Sequence, residues 1–227
     1  MTWHDCLLQR RAAPRPATRH APRAMHLKQE VVADFLGVCV YLDPEIWEAL
    51  GVTHPVIPDR VQSFRPEHEG LGAITLPDEY HMLTFVVNGA GDVFVFTDMC
   101  RDFVFHCKPL WRGLGAVFGA NSVIHGVAYR GDARSGAGEL VLGVFDATRA
   151  GGEDLRGLPV LERHQRVHAR MHGSVHGVPA RVFYHWLGYS QNCYACIEHA
   201  PYTSHQMLVF AADGVCQRVL GPLRLRR

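Results

Sequence analysis

The stretch ELVLGVFDATRAGGEDLRGLPVLERHQRV, residues 139–167, carries the clearest fold signal in this chain. Its first eight residues are mostly apolar and end in Phe145-Asp146, a pattern typical of a buried β-strand. The pair Gly151-Gly152 then predicts a turn, and Pro159 predicts the start of a helix that ends by Gly173. The segment therefore predicts a strand, a glycine turn and a peripheral helix in succession.

Short β-rich runs lie on both sides of this segment. HMLTFVV (81–87), DVFVFT (92–97) and DFVFH (102–106) have the spacing of an antiparallel meander, and SVIHGVAY (122–129) predicts another strand. The loop Asn88-Gly89-Ala90-Gly91 lies between two strands with no helix after it, so we interpret it as a hairpin turn and not as a phosphate loop. RVFYHWL, QMLVF and VCQRVL predict three further strands. We expect an α+β fold with mainly antiparallel sheets and peripheral helices.

The composition indicates a globular chain with one atypical end. Its 227 residues are 48% hydrophobic and 20% charged, and the net charge of +1 gives no global attraction for nucleic acid. Residues 1–27 carry arginines among alanine and proline, with Asp5 as the only acid. We expect a flexible basic tail there, either simply solvated or acting as a phosphate-binding arm or targeting peptide, followed by one domain over residues 28–227. No run approaches the ~18 apolar residues of a membrane span, so we expect no membrane partner.

The cysteines and histidines raise two metal-site hypotheses. Seven cysteines make an odd number that does not indicate a disulfide framework, and we expect an intracellular, reducing compartment. Cys193, Cys196 and His199 supply three of the four ligands that a structural Zn²⁺ site needs. The three histidines of the predicted helix, His164, His168 and His172, are spaced i, i+4 and i+8, so their imidazoles could hold a transition metal. A solvated helix face is the simpler interpretation of these three.

The order of the segments resembles that of the guanylyltransferase domain of mRNA capping enzymes, which belong with DNA and RNA ligases to the covalent nucleotidyltransferase superfamily. The quoted stretch is similar to the strand and helix that close the family's guanine pocket, which places Phe145 there. Residues 76–81, LPDEYH, fall where the family has Lys-x-Asp-Gly-x-Arg, and residues 124–127, IHGV, fall at the Asp-Gly-Glu strand. Residues 207–210 match the end of the Asp-Gly-Leu-Ile-Phe strand, and residues 223–226 lie near the place of the Leu-Lys-Trp-Lys segment. The resemblance covers most of the chain and implies a nucleotidyltransferase catalytic-domain fold.

The family's chemistry requires residues that this chain has replaced. Covalent nucleotidyl transfer needs an amine that attacks the α-phosphate of GTP, together with a divalent metal such as Mg²⁺. The resemblance places Leu76 at the position of the lysine nucleophile, so it implies no catalytic residue there. It also places His81 at the ribose-binding arginine, Glu79 at the glycine, and His125 and Val127 at the acidic pair. The acid of the fourth motif aligns with the neutral Gln206. The resemblance therefore implies a degenerate site.

Some positions keep the charge of the corresponding residues in the family's site. Asp78 keeps the acid of the first motif, although it could simply cap a turn. Arg224 and Arg226 keep positive charge where the family's lysine pair contacts phosphates, although they could also be a solvated terminus. The candidate nucleotide- and phosphate-binding residues are Asp78, His81, His125, Phe145, Arg224 and Arg226, with GTP and Mg²⁺ as their ligands. We expect the oligonucleotide-binding barrel that follows this motif in the family to be absent.

Three functions are consistent with this pattern. The first is a catalytically inactive domain that binds RNA 5′ ends or nucleotide, or that scaffolds another capping subunit. The second is an active mRNA guanylyltransferase in which Lys108, the only lysine in the resembling region, reaches the pocket. The third is a purely structural interaction protein, such as a viral assembly component. The capping-like layout and the arginine bias favour a viral origin, with the protein in host cytoplasm, nucleus or virion.

Overall fold

The structure is a computed structural model that describes residues 37–41, 59–62, 71–97, 100–107, 112–130, 140–173, 182–184, 188–189, 204, 206–210 and 217–220. Its side chains are described within 71–96, 113–130, 141–171, 204 and 206–210. The elements in chain order are β1 Gly37–Tyr41, β2 Asp59–Gln62, β3 Gly72–Leu76, β4 Tyr80–Val87, β5 Val93–Thr97, β6 Cys100–Cys107, α1 Arg112–Phe118, β7 Ser122–Arg130, β8 Leu140–Ala150, β9 Glu153–Asp154, α2 Val160–Gly173, β10 Val182–Tyr184, β11 Gly188–Tyr189, β12 Gln206–Phe210 and β13 Gln217–Leu220.

The described strands form two sheets. The large sheet has the order β1-β6-β5-β4-β7-β8-β10, with β9 paired to β8, and the small sheet has the order β11-β3-β12-β13-β2. Pairing is antiparallel except between β8 and β10 and between β2 and β13, which are parallel. The expected α+β architecture with mainly antiparallel sheets is confirmed.

Two apolar clusters show how the layers stack. The helix-side cluster joins one face of the large sheet, including Leu83 and Phe85, to Leu114 of α1 and Val167 of α2. The inter-sheet cluster joins the opposite face of the large sheet to the small sheet, and its buried members are Ile74, Leu76, Met82, Val127, Tyr129, Val141, Phe145, Leu208 and Phe210. Helices, large sheet and small sheet therefore form three layers, because each face of the large sheet buries its own apolar set.

Helix α2 begins and ends where its sequence predicts. The amide nitrogens of Glu162 and Arg163 bond to the carbonyl of Pro159, at 3.0 and 3.1 Å, and Gly173 is its last residue. Val167 packs in the helix-side cluster with Met171 against it, one turn apart on the same face. The predicted helix from near Pro159 to Gly173 is confirmed.

Helix α1 has no counterpart among the sequence predictions. Its sequence, RGLGAVF, contains two glycines, which disfavour a helix by about 1 kcal/mol each relative to alanine. Leu114 and Phe118 are nonetheless completely buried, so packing onto the large sheet compensates for weak propensity. The helix ends at Phe118 and is followed by Gly119, whose φ of 84° suits the left-handed residue after a helix C-terminus.

The turn at residues 88–91 is the hairpin turn that the sequence predicts, linking β4 to β5. The tail at residues 1–27 lies outside the described residues, so the proposed division into tail and domain stays a prediction. No helix in the described ranges is long and apolar enough to cross a membrane.

Candidate functional site

The chain crosses from the small sheet to the large sheet between Leu76 and Tyr80, within the segment that resembles the family's nucleophile motif. Leu76 is the last residue of β3, and Tyr80 is the first residue of β4. The register of the small sheet pairs Leu76 with Gln206 of β12. Two motif positions that are 130 residues apart in sequence thus meet at one end of the space between the sheets.

That space is filled by the inter-sheet cluster. Leu76, Val127 and Phe145 are each 0% exposed and belong to this one cluster. Phe145 also meets the ring of Phe210 edge to face, with ring centroids 6.1 Å apart. The residues at the nucleophile, acidic-pair and guanine-pocket positions are therefore brought together, but as a packed apolar core.

His125 is buried on the face of the large sheet that looks toward the small sheet. Its Nδ1 lies 3.1 Å from the Thr84 hydroxyl on β4, and its Nε2 lies 3.1 Å from the Thr148 hydroxyl on β8. Burial lowers the pKa of His125, the nearby Asp146 carboxylate raises it, and Arg163 lowers it. Since both ring nitrogens are hydrogen-bonded, neither can contact a ribose or metal unless one of these bonds breaks.

His81 lies on the opposite face from Leu76. Its register partner is Ala128, which belongs to the helix-side cluster, whereas the next β4 residue, Met82, belongs to the inter-sheet cluster. Successive residues of a strand point to opposite faces, so His81 points toward the helices. The structure does not bring this candidate ribose contact together with the other site positions.

Two β-bulges shape β8 beside His125. The β7–β8 register runs Val123 to Arg149, Ile124 to Ala147, His125 to Asp146 and Gly126 to Val144, so two residues of β8 are extra. The extra residues are Thr148 and Phe145. The carbonyl of Thr148 accepts a hydrogen bond from the amide of Leu155 at 2.9 Å, and that of Phe145 accepts one from His164 Nδ1, also at 2.9 Å.

A buried ion pair lies at the same point. Arg163 donates from Nε to Asp146 Oδ1 at 3.0 Å and from Nη2 to Asp146 Oδ2 at 2.8 Å, and its Nη1 donates to the Leu158 carbonyl at 3.0 Å. Both side chains are at most 1% exposed. The pair therefore joins α2 to β8 in a bidentate geometry that excludes water.

The buried pair of Asp146 and Arg163 was not among the sequence predictions. The signal was present, because Arg163 stands between Val160 and Val167 on the face of α2 that packs against the sheet. Asp146 likewise follows a run of apolar residues in one strand. When an acidic and a basic residue each lie within an apolar pattern, and their two elements are neighbours in the chain, they indicate a buried ion pair. Its position next to His125 and Phe145 became visible only in the folded chain.

The packing of β7 against β8 explains why residue 126, between His125 and Val127, is a glycine. A Cβ atom there would lie 2.8 Å from the carbonyl oxygen of Gly143 on β8, closer than real Cβ contacts. The close approach lies next to the bulge at Phe145, where the two strands shift register. Glycine is therefore required by strand packing, without reference to any ligand.

The remaining candidate residues are placed as follows. Asp78 is half-buried in the crossing segment. His164 is 6% exposed, and burial lowers its pKa while its bond to the Phe145 carbonyl raises it. In the described ranges no cluster of three potential metal ligands occurs, whereas His172's side chain lies outside them. The proposed Zn²⁺ ligands Cys193, Cys196 and His199, the phosphate candidates Arg224 and Arg226, and Lys108 also lie outside the described residues.

No protein-family model matches this chain, and no curated protein matches it. Among solved structures it is similar to a mycobacterial DNA ligase D complexed with ATP and MES, at a TM-score of 0.49 and 16% identity, over 73% of this chain and 60% of that chain. It is also similar to the ligase domain of LigD from M. tuberculosis, at a TM-score of 0.49 and 18% identity, over 75% of this chain and 57% of that one. This chain thus spans less than two thirds of either ligase chain. The likeness concerns the fold alone.

Proposed function

We propose that this chain is a catalytically inactive nucleotidyltransferase-like domain of the capping-enzyme type, retained as a scaffolding module for another capping subunit. The observation that carries the proposal is the complete burial of Leu76 in the inter-sheet cluster. A leucine side chain cannot form a phosphoamide bond. Because protein interiors are packed to crystal-like density, a guanine base could enter between Val127 and Phe145 only by displacing this core.

The polar groups around the cluster support the same proposal. A bound triphosphate needs cationic side chains or a metal to balance its charge. Arg163 is the buried cation at this site, and its guanidinium is occupied by Asp146 and the Leu158 carbonyl. His125 is held between two threonine hydroxyls, and its lowered pKa keeps the imidazole neutral at pH 7. The described groups of the site therefore offer a phosphate no available charge.

Covalent transfer is tested by incubation with α-labelled GTP or ATP and Mg²⁺ or Mn²⁺, followed by a denaturing gel. ATP is included because one similar ligase was complexed with ATP. We expect no labelled band from the wild-type chain, and none from Leu76→Lys, since a lysine placed in the packed cluster has no nucleotide to attack. A wild-type band that disappears in Lys108→Ala would refute the proposal, and if the label comes from GTP it would support the alternative, an active mRNA guanylyltransferase with an unusual nucleophile.

A nucleotide-binding measurement distinguishes an inactive scaffolding domain from an inactive domain that binds nucleotide or RNA 5′ ends. Titration calorimetry with GTP and with capped RNA should give no heat of binding if scaffolding is the role. Binding that weakens in the Arg224→Ala, Arg226→Ala double variant would show a phosphate-binding module. That result would contradict the scaffolding proposal while leaving catalytic inactivity in place. Arg156→Ala is a matched control, because Arg156 is an exposed arginine paired with Asp154, away from the inter-sheet cluster.

A further inference from the structure

The imidazole of His125 bridges three neighbouring strands of the large sheet. β7, which carries His125, lies between β4 and β8 in the sheet order. The ring contacts the Thr84 hydroxyl on one side and the Thr148 hydroxyl on the other, each at 3.1 Å. A neutral imidazole has one donor and one acceptor nitrogen, and a hydroxyl can serve either, so one tautomer satisfies both contacts.

The bridge depends on the β-bulge at Phe145, between the pairs Gly126–Val144 and His125–Asp146. Val144 and Ala147 both pack in the helix-side cluster, so the extra residue shifts the alternation and directs the Thr148 side chain to the face that His125 occupies. The backbone of Thr148 is held as well, because its carbonyl accepts the amide of Leu155 from the segment that leads into α2. Thr148 therefore connects His125 to the segment between β8 and α2.

Protonation of His125 would leave its imidazole ring without an acceptor nitrogen. The imidazolium has two N–H donors, so both threonine hydroxyls would have to accept and would need new partners for their own protons. The charged groups that act on His125 are Asp146 of β8, directly opposite in the register, and Arg163 of α2, whereas β4 contributes the neutral hydroxyl of Thr84. Asp146 already binds Arg163 through both oxygens, so a second buried cation has no carboxylate of its own.

We propose that His125 is a proton-operated latch, in which uptake of a proton breaks the Thr84–His125–Thr148 bridge and lets β8 open away from β7, exposing the inter-sheet cluster. Val141 and Phe145, which β8 contributes to that cluster, are the apolar side chains uncovered first. This inference is independent of the scaffolding role, since it concerns the stability of one strand and requires no ligand.

Proton linkage fixes the size of the expected effect. In the opened state His125 is hydrated and titrates near its ordinary value of about 6.5. In the closed state burial lowers its pKa. Between these two values opening takes up one proton, so the equilibrium constant for opening rises about tenfold for each unit by which the pH falls. Above about pH 6.5 both states are neutral and opening does not depend on this group.

Amide hydrogen exchange of residues 141–150, measured from pH 7.5 to 5.0 and corrected for the intrinsic pH dependence of exchange, tests the latch. We expect protection of β8 in the wild type to decrease below pH 6.5, by about tenfold per pH unit until the pH reaches the lowered pKa of the closed state. In His125→Gln, which keeps a polar side chain that cannot take up a proton, this dependence should be absent. His168→Gln is the control, because it removes a different partly buried histidine and should retain the wild-type dependence.

The proposal is overturned if β8 protection in the wild type is unchanged across this range, or if His125→Gln responds to pH as the wild type does. Should His125→Gln be unfolded already at pH 7.5, the wild type decides the question by NMR. The imidazole of His125 and the methyl groups of Thr84 and Thr148 must then change together at one midpoint below 6.5. Separate midpoints would show that protonation and opening are not coupled.

Discussion

Replacement of Arg163 by methionine tests whether the buried ion pair holds α2 on the large sheet. Methionine has a similar length and remains compatible with a helix, so the change removes the guanidinium with little loss of packing volume. Among the described residues, Asp146 would keep only the amide of Ala147, at 2.8 Å, as a partner for its carboxylate. Its side chain is 1% exposed, so water cannot take the place of Arg163.

The expected cost follows from these contacts. Removing one partner of a buried ion pair costs about 3–5 kcal/mol, because the remaining charge is buried and unpaired. The lost bond to the Leu158 carbonyl adds about 1 kcal/mol. The free energy of unfolding of an ordinary domain is about 5–15 kcal/mol, so Arg163→Met should remove a large part of it. In the double variant with Asp146→Leu no charge is left unpaired, and the total cost should fall below that of Arg163→Met alone.

The assay is urea denaturation of the wild type, both single variants and the double variant, followed by far-UV circular dichroism. The double-mutant cycle isolates the interaction between Asp146 and Arg163 from other effects of each substitution. If Arg163→Met costs less than about 1 kcal/mol, or if the two single costs simply add in the double variant, the pair does not anchor the helix as argued.

Two smaller predictions concern strand packing and surface charge. Gly126→Ala places a methyl group 2.8 Å from the Gly143 carbonyl and should lower the free energy of unfolding by about 1–3 kcal/mol in the same assay. Gly157→Ala, which meets nothing within 4 Å, should change it by no more than about 0.5 kcal/mol; equal effects would contradict the steric explanation. Hydrogen bonds from Arg156 lower the pKa of Asp154 to about 2, so the stability from this pair is present above the ordinary value of 3.8 and is lost as the pH falls through about 2. Because both side chains are half-exposed, Arg156→Gln should cost less than about 1 kcal/mol while returning the Asp154 pKa toward 3.8 in an NMR titration; an unchanged Asp154 pKa would disprove the assignment.

The local signals in the sequence were sufficient for most of the β-strands, for helix α2 and for the hairpin turn at residues 88–91. Each of these depends on periodicity and turn chemistry within a few residues, which the sequence contains directly. Helix α1 and strand β3 were not predicted, nor were the short strands β1, β2, β9 and β11. Helix α1 has two glycines in seven residues. Strand β3 is an apolar strand of five residues, and its partner β12 lies more than 120 residues away in sequence. Tertiary burial decides such elements, because their local propensities are weak or ambiguous.

For the candidate site, the sequence by itself determined which chemical groups are absent: Leu76 carries no amine and Val127 carries no carboxylate, whatever the fold. Only the tertiary structure decided what those residues do instead. The packing of the two sheets brings Leu76, Val127 and Phe145 into one cluster, and strand alternation directs His81 to the other face. The bulges in β8 set His125 between two threonines and place Asp146 where Arg163 can reach it. A one-residue shift in strand register reverses the direction of side chains, and such shifts arise from contacts between distant segments that no local pattern contains.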